Sequence, residues 1–253
     1  MPLLQQGHTQ GGNQAIMIIR RYALALFAVI LPAITLNAAE PGRNSMPSFT
    51  WGARIGFAAT GTYLTNAIID GHNVTDYIQD TQVGNFIALQ FRWSSPRFLI
   101  QSGVGISHNK SSFIADKNSW NPEATAKADI TYSYSLTSLM VPLQIGYHIV
   151  NRSPYCMSAF TGPRLRYIPE KYYVSSCNGM QPYSFTEKPV DILIGWTAGL
   201  SVQIGRTFLD FEYECTINSI SRSLTETSGT LQSPDFKLDR RMGIISFSYG
   251  IMF

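Results

Sequence analysis

An all-β chain of eight antiparallel strands, closed into an up-and-down barrel that crosses a membrane, is what this sequence predicts. Three observations carry the prediction. Apolar and polar residues alternate with a period of two through most of the chain, the mark of strands with one face of each kind. Short and long connections between these segments take turns, with every short one on the same side. The apolar faces all need cover, yet no amphipathic helix or second domain is left to provide it. Barrels in membranes have an even strand number, short turns at one end, long loops at the other and an apolar exterior. Closure also pairs the backbone groups that lipid would leave unsatisfied.

Composition agrees. Charged residues make up 14% of the 253 positions, well under the roughly 25% of soluble proteins. Aromatic residues reach 12%, with 14 Phe and 13 Tyr, a proportion that suits a membrane barrel. The net charge of +3 comes without basic runs, so no nucleic-acid partner is expected.

Residues 1–39 read as an upstream extension followed by a secretory signal, whose core is 17–39. Arg20 and Arg21 form its charged start, 22–31 its apolar centre and Ala38-Ala39 its small-residue exit. Met17 is the expected start, with Met1 the alternative. The apolar centre is too short to cross a membrane as a helix. Residues 40–48 are a polar leader, and 49–253 form the barrel.

The first strand, 49–62, sets Phe49, Trp51, Ala53, Ile55 and Phe57 against Thr50, Gly52, Arg54, Gly56 and Thr60. A long polar connection, 63–83, follows. The second strand, 85–93, opposes Ile87, Leu89, Phe91 and Trp93 to Ala88, Gln90 and Arg92. Ser94-Ser95-Pro96-Arg97 turns the chain. The third strand, 98–107, is followed by a second long connection, 108–128. The fourth, 129–149, changes parity between Leu136 and Leu139, which predicts a β-bulge near Thr137-Ser138. Pro142 is awkward there, because it lacks an amide hydrogen. The fifth strand, 155–167, follows a turn at 151–154 and points Cys156, Ser158, Gly162, Arg164 and Arg166 to the polar side.

After a third long connection, 168–190, comes the clearest pattern of the chain. Residues 191–204 and 207–217 form a hairpin about Gly205-Arg206, where a II′ turn pairs Ile204 with Thr207. That register matches Leu200 with Phe211 on the apolar face and Gly199 with Glu212 on the polar face. A fourth long connection, 218–237, leads to the last strand, 240–253, with Ile245, Phe247, Tyr249, Ile251 and Phe253 on one face.

Within these strands the run Leu139-Met140-Val141-Pro142-Leu143-Gln144-Ile145-Gly146-Tyr147, a short turn and Thr161-Gly162-Pro163 resemble the central hairpin of PorT-type outer-membrane β-barrels of Bacteroidetes. Phe98-Leu99-Ile100-Gln101-Ser102-Gly103-Val104 before it and Ala198-Gly199-Leu200 after it are similar too. The likeness covers about 49–253. The first strand lacks the family's usual asparagine, and Met140 stands where an acidic residue is common. The resemblance implies an outer-membrane location, a lipid environment and a role at the cell surface or in a secretion apparatus. It also implies that the last strand, with Tyr249, Ile251 and Phe253 alternating to the end, is read by the barrel-assembly machinery.

The polar face collects Arg54, Arg92, His148, Arg164 and Arg166 against Asp191, Asp210, Glu212 and Glu214. An eight-stranded barrel has an interior just wide enough for side chains to fill. These residues are therefore expected to pair inside a closed lumen, as a structural network. The acidic row lacks an adjacent His and no GxSxG motif is present, so no catalytic site is expected and an outer-membrane hydrolase is the alternative. No metal cage or cofactor site is expected from three carboxylates on one strand. Cys156 is expected to point to the polar side, Cys215 to the apolar side and Cys177 to lie in a loop, all as small fillers. His72 and His108 are expected in loops. Tyr77, Phe113, Trp120, Tyr172, Tyr173, Tyr183 and Phe185 read as loop or girdle aromatics, and the long loops as the surface for partners. A soluble lipocalin-like barrel would invert every face: carboxylates outside and Leu200 and Phe211 within.

Overall fold

The computed structural model describes residues 47–69, 72–73, 77–115, 130–178, 185–226 and 236–253. The signal segment, most of the leader, Trp120 and Tyr183 lie outside the described residues. Eight strands form the ring: β1 (Ser48–Ile69), β2 (Gln82–Ser94), β3 (Phe98–Ala115), β4 (Ile130–Arg152), β5 (Tyr155–Tyr167), β6 (Ile192–Ile204), β7 (Thr207–Thr216) and β8 (Phe236–Met252). Each pairs antiparallel with its neighbours in sequence, and β8 returns to β1, closing the barrel. The three short turns and the chain's Phe253 share one end, where Phe253 and Trp51 exchange backbone hydrogen bonds of 2.6 and 3.3 Å.

The hairpin register is the expected one: Ile204 with Thr207, Leu200 with Phe211, Gly199 with Glu212. Gly205, at φ 60°, turns the chain there, in a region that favours glycine.

The faces are those of a membrane barrel. Phe211 is 42% exposed on the outside, whereas Glu212 is 1% exposed inside. Ile55, Phe57, Ile87, Leu143, Ile145, Leu165 and Phe247 continue the outward apolar belt. This orientation overturns the lipocalin-like alternative, because charges hidden inside and greasy side chains outside suit lipid and not water. Near the turn end the belt is rimmed by aromatics. Phe49 stacks on Phe91 at 6.4 Å, Trp51 meets Phe253 at 5.0 Å and Phe98 meets Tyr147 at 5.6 Å.

Several boundaries differ from expectation, for one physical reason. β1 and β3 run past the apolar belt into segments read as polar loops, and at that end of the barrel, on β4 as well, the faces exchange chemistry. Along β4, Tyr132, Tyr134 and Leu136 are buried inside while Thr131, Ser133, Ser135 and Thr137 face out. The parity change is thus a change of surroundings along a continuous strand, and no bulge exists at Thr137-Ser138. Ser107 pairs with Ser138 and His108 with Thr137 in unbroken register. The register shift of β4 lies instead between His148 and Val150, against β5. Pro142 sits within the strand, pointing inward, and pairs with Arg164. The β3–β4 ladder is interrupted opposite it, and the Ser102 hydroxyl donates 2.8 Å to its carbonyl.

Short strands extend the loop end. Tyr77–Asp80 pairs with β3, Tyr173–Asn178 with β4, and Phe185–Pro189 with Ser221–Glu226. Cys177 and His108 therefore lie in strands, not loops, and His72 belongs to a two-residue strand against β1. Inside this end Phe113, Tyr132, Tyr134, Leu136, Ile168, Tyr173, Leu193, Ile220 and Met242 make an apolar core. Phe113 and Tyr173 are core residues, not exposed loop aromatics, while Tyr172 is exposed.

Candidate functional site: the filled lumen

The period of two on β7 aims Asp210, Glu212 and Glu214 into the barrel one above another. Their partners come from both sides of the ring. Arg54 on β1 donates from Nη1 to Asp210 Oδ2 at 3.1 Å and to Glu212 Oε1 at 2.5 Å. Arg164 on β5 bridges Glu212 and Glu214, the latter at 2.8 Å. Arg166, two residues on, holds Glu214 in a fork, Nε to Oε1 and Nη2 to Oε2, both at 2.7 Å. Its Nη1 reaches Ser107 Oγ at 2.6 Å and Ser138 Oγ at 3.1 Å. The result is one continuous row, Arg54–Asp210/Glu212–Arg164–Glu214–Arg166, fully enclosed. Planar guanidinium forks match carboxylates in this way, with directional, charge-assisted bonds.

A second, uncharged chain crosses the lumen beside the row. Gln90 donates to Gln101 at 3.0 Å, Gln101 to Gln144 at 2.8 Å and Gln144 to the Thr197 hydroxyl at 2.7 Å. Arg54, Gln90, Gln101, Met140 and Gln144 border a small cavity with room for about one water molecule.

Of the nine residues expected in the lumen network, six form the row. Arg92 and His148 are also buried but stand apart, nearer the turn end. Arg92 donates to Gln101 at 3.2 Å and Gln203 at 3.0 Å, and lies 5.5 Å from the centre of the Phe208 ring. His148 Nδ1 lies 2.8 Å from Ser158 Oγ. Asp191 is a correction: it is exposed, one residue before β6 begins, where its carbonyl accepts from Ile168 N at 2.8 Å. The strand ends before its side chain can turn inward.

The sequence reading missed a second buried ion pair, at the loop end. Arg240 Nη2 donates to Glu187 at 2.5 and 2.6 Å and to the Tyr173 hydroxyl at 2.9 Å. The Tyr132 and Tyr173 hydroxyls both donate to the same carboxylate. The guanidinium lies 4.6 Å from the ring centres of both Tyr132 and Tyr134. Burial pushes the Tyr173 hydroxyl up to about 12, against the opposing pull of Arg240. Arg240 opens the expected last strand, and its parity with Met242 and Ile244 was the available signal. Glu187 gave none, since it lay in a segment read as a loop.

At the last strand, Tyr249, Ile251 and Phe253 all face outward. Tyr249 pairs with Ile55 and Leu209, and Ile251 with Ala53 and Thr207.

Residues 40–222 match the model of a family described as the outer membrane protein beta-barrel domain. No curated protein sequence matches the chain. Among solved structures, it is similar to OprG from Pseudomonas aeruginosa, at 12% identity and a TM-score of 0.47, covering 83% of this chain and 98% of that one. It is also similar to Neisserial surface protein A, at 13% identity and a TM-score of 0.41, covering 81% and 99%. A third likeness is to the outer membrane protease OmpT from Escherichia coli, at 10% identity and a TM-score of 0.40, covering 83% and 99%.

Proposed function

The chain belongs to the outer membrane protein β-barrel domain family, and from that premise we propose that it is a closed, non-enzymatic barrel whose working surface is its loop end. The observation that carries this reading is the buried row from Arg54 to Arg166, which occupies the lumen where a channel would run. A buried carboxylate held by two arginines is committed to packing; a general acid or base needs a group free to exchange a proton with substrate. The role is structural or interactive at the cell surface, with partners met by the loops. Short turns lie on the periplasmic side in this class, which sets the loop end outside the cell. The Leu139–Tyr147 hairpin and its PorT-type likeness support a narrower reading, a component of a secretion apparatus.

Residues 17–39 fit the same picture as an export signal removed near Ala38-Ala39, leaving 40–48 as leader and 49–253 as barrel. Tyr249, Ile251 and Phe253 serve as the mark read by the assembly machinery.

Planar-bilayer recording tests the closed lumen. The purified barrel is expected to give no steady conductance, while Arg164→Ala with Glu212→Ala opens small currents. Large steady currents from the unaltered protein would overturn the proposal.

A further inference from the structure

The turn end of the lumen holds a group of side chains that the ionic row does not use. Cys156, the second residue of β5, is half-buried and points inward. Its Sγ lies 3.2 Å from His148 Nδ1 on β4 and 3.6 Å from Ser158 Oγ. His148 is 8% exposed, and its other ring nitrogen, Nε2, is buried with no hydrogen-bond partner among the described residues. Arg92, buried on β2, interacts electrostatically with both the thiol and the imidazole, and its Nη1 donates 3.0 Å to Gln203, the register partner of Cys156. Cys215 is a natural contrast. It faces outward, and its thiol lies 3.7 Å from the Thr216 carbonyl oxygen.

We propose that Cys156 is a thiol–disulfide exchange site at the turn-end mouth of the barrel, taking small anionic disulfides. A cysteine becomes a nucleophile when a neighbouring base takes its proton. With its proton on Nε2, the imidazole presents the Nδ1 lone pair to the thiol at 3.2 Å and to the Ser158 hydroxyl at 2.8 Å, so the two donors share it. The buried Nε2–H then lacks an acceptor, which an anionic group entering the mouth supplies. Arg92 adds positive charge to this corner, offset in part by Asp210, the row's nearest carboxylate to it. The gate is narrow, because Gln101 and Arg92 close the lumen behind.

The step balances without a further oxidant. The Cys156 proton passes to His148 Nδ1. The thiolate sulfur bonds to one sulfur of the disulfide, the S–S bond breaks, and the second sulfur leaves with the electron pair as a thiolate. Cys156 is oxidised to a mixed disulfide as the incoming disulfide is reduced.

The test uses the whole barrel in detergent, with Cys177→Ser and Cys215→Ser so that one thiol remains. Two aromatic disulfides serve as probes, the anionic dithiobis(nitrobenzoate) and the neutral dithiodipyridine. Folded Cys156 is expected to react with the anionic probe about tenfold faster than the same thiol in unfolded protein at the same pH. The anionic probe is also expected to outpace the neutral one in the folded state only. His148→Gln is expected to remove the acceleration while retaining the folded barrel's gel mobility. A folded-state rate equal to or below the unfolded rate overturns the proposal, even if the histidine variant fails to fold. An unchanged rate in a folded His148→Gln barrel overturns it as well, and equal rates with the two probes overturn the anionic preference.

Discussion

Arg164 and Glu214 meet inside the barrel at 2.8 Å, from strands that are not neighbours: β6 runs between them. The bond therefore bridges over β6, and the same guanidinium holds Glu212 one step along β7. Three arginines and three carboxylates joined this way leave little room for independent change.

That coupling is measurable. Removing Glu212 alone, or Arg164 alone, strands a charge in a low-dielectric interior and is expected to cost about 3–5 kcal/mol. Glu212→Ala with Arg164→Ala is expected to cost clearly less than the sum of the singles. Urea unfolding followed by gel mobility gives the cycle, and strict additivity would count against direct pairing.

The exchange of chemistry along the strands separates two kinds of outward position. Phe211→Arg places a charge in the lipid belt and is expected to cost about 2–4 kcal/mol. Ser133→Arg, outward on β4 beyond the belt, is expected to change stability by under about 0.5 kcal/mol, as an ordinary surface position does. Equal penalties at the two sites would mean that the belt extends over Ser133.

Tyr173 sets an alkaline limit on the loop end. Its hydroxyl is raised in the folded state from 10.0 to about 12, so the folded form holds its proton more tightly than the unfolded form. The corresponding stability is complete below pH 10.0 and is lost as pH climbs from there through about 12. The loss is of the order of 3 kcal/mol. Near-ultraviolet circular dichroism should report loosening of the tyrosine cluster in that window, and Tyr173→Phe should remove this part of the transition.

Phe253 is bound to Trp51 by ring contact and by backbone hydrogen bonds. Phe253→Ala is expected to lower the amount of folded barrel reaching the membrane in cells severalfold. The stability of barrel refolded in detergent should fall by only about 1 kcal/mol, the scale of one aromatic contact. A deficit in cells no larger than the deficit in vitro would argue that the residue is structural alone.

Period-two patterning was enough to place all eight ring strands, the hairpin register from Ile204–Thr207 outward and the inward aim of Arg54, Arg164, Arg166, Asp210, Glu212 and Glu214. These are local properties: a strand's alternation assigns each residue a face, and a two-residue turn sets which residues lie opposite. Thr137-Ser138 shows where locality fails. A parity change written in residues has two causes, an inserted residue or a change of medium, and only the unbroken ladder to Ser107 and His108 distinguishes them.

By itself, then, the sequence determined a barrel with ionic residues inside and apolar ones outside, because alternation and composition are carried by each strand separately. Only the tertiary structure decided which arginine holds which carboxylate, that Glu187 and Arg240 meet beneath the loops, and that Cys156 lies against His148. Those partners are 53, 48 and 8 residues apart for Arg240–Glu187, Arg166–Glu214 and Cys156–His148. Packing around the ring brings the first two pairs together, and the register shift of the β4–β5 hairpin between His148 and Val150 sets the third; none of these is written in a single strand's alternation.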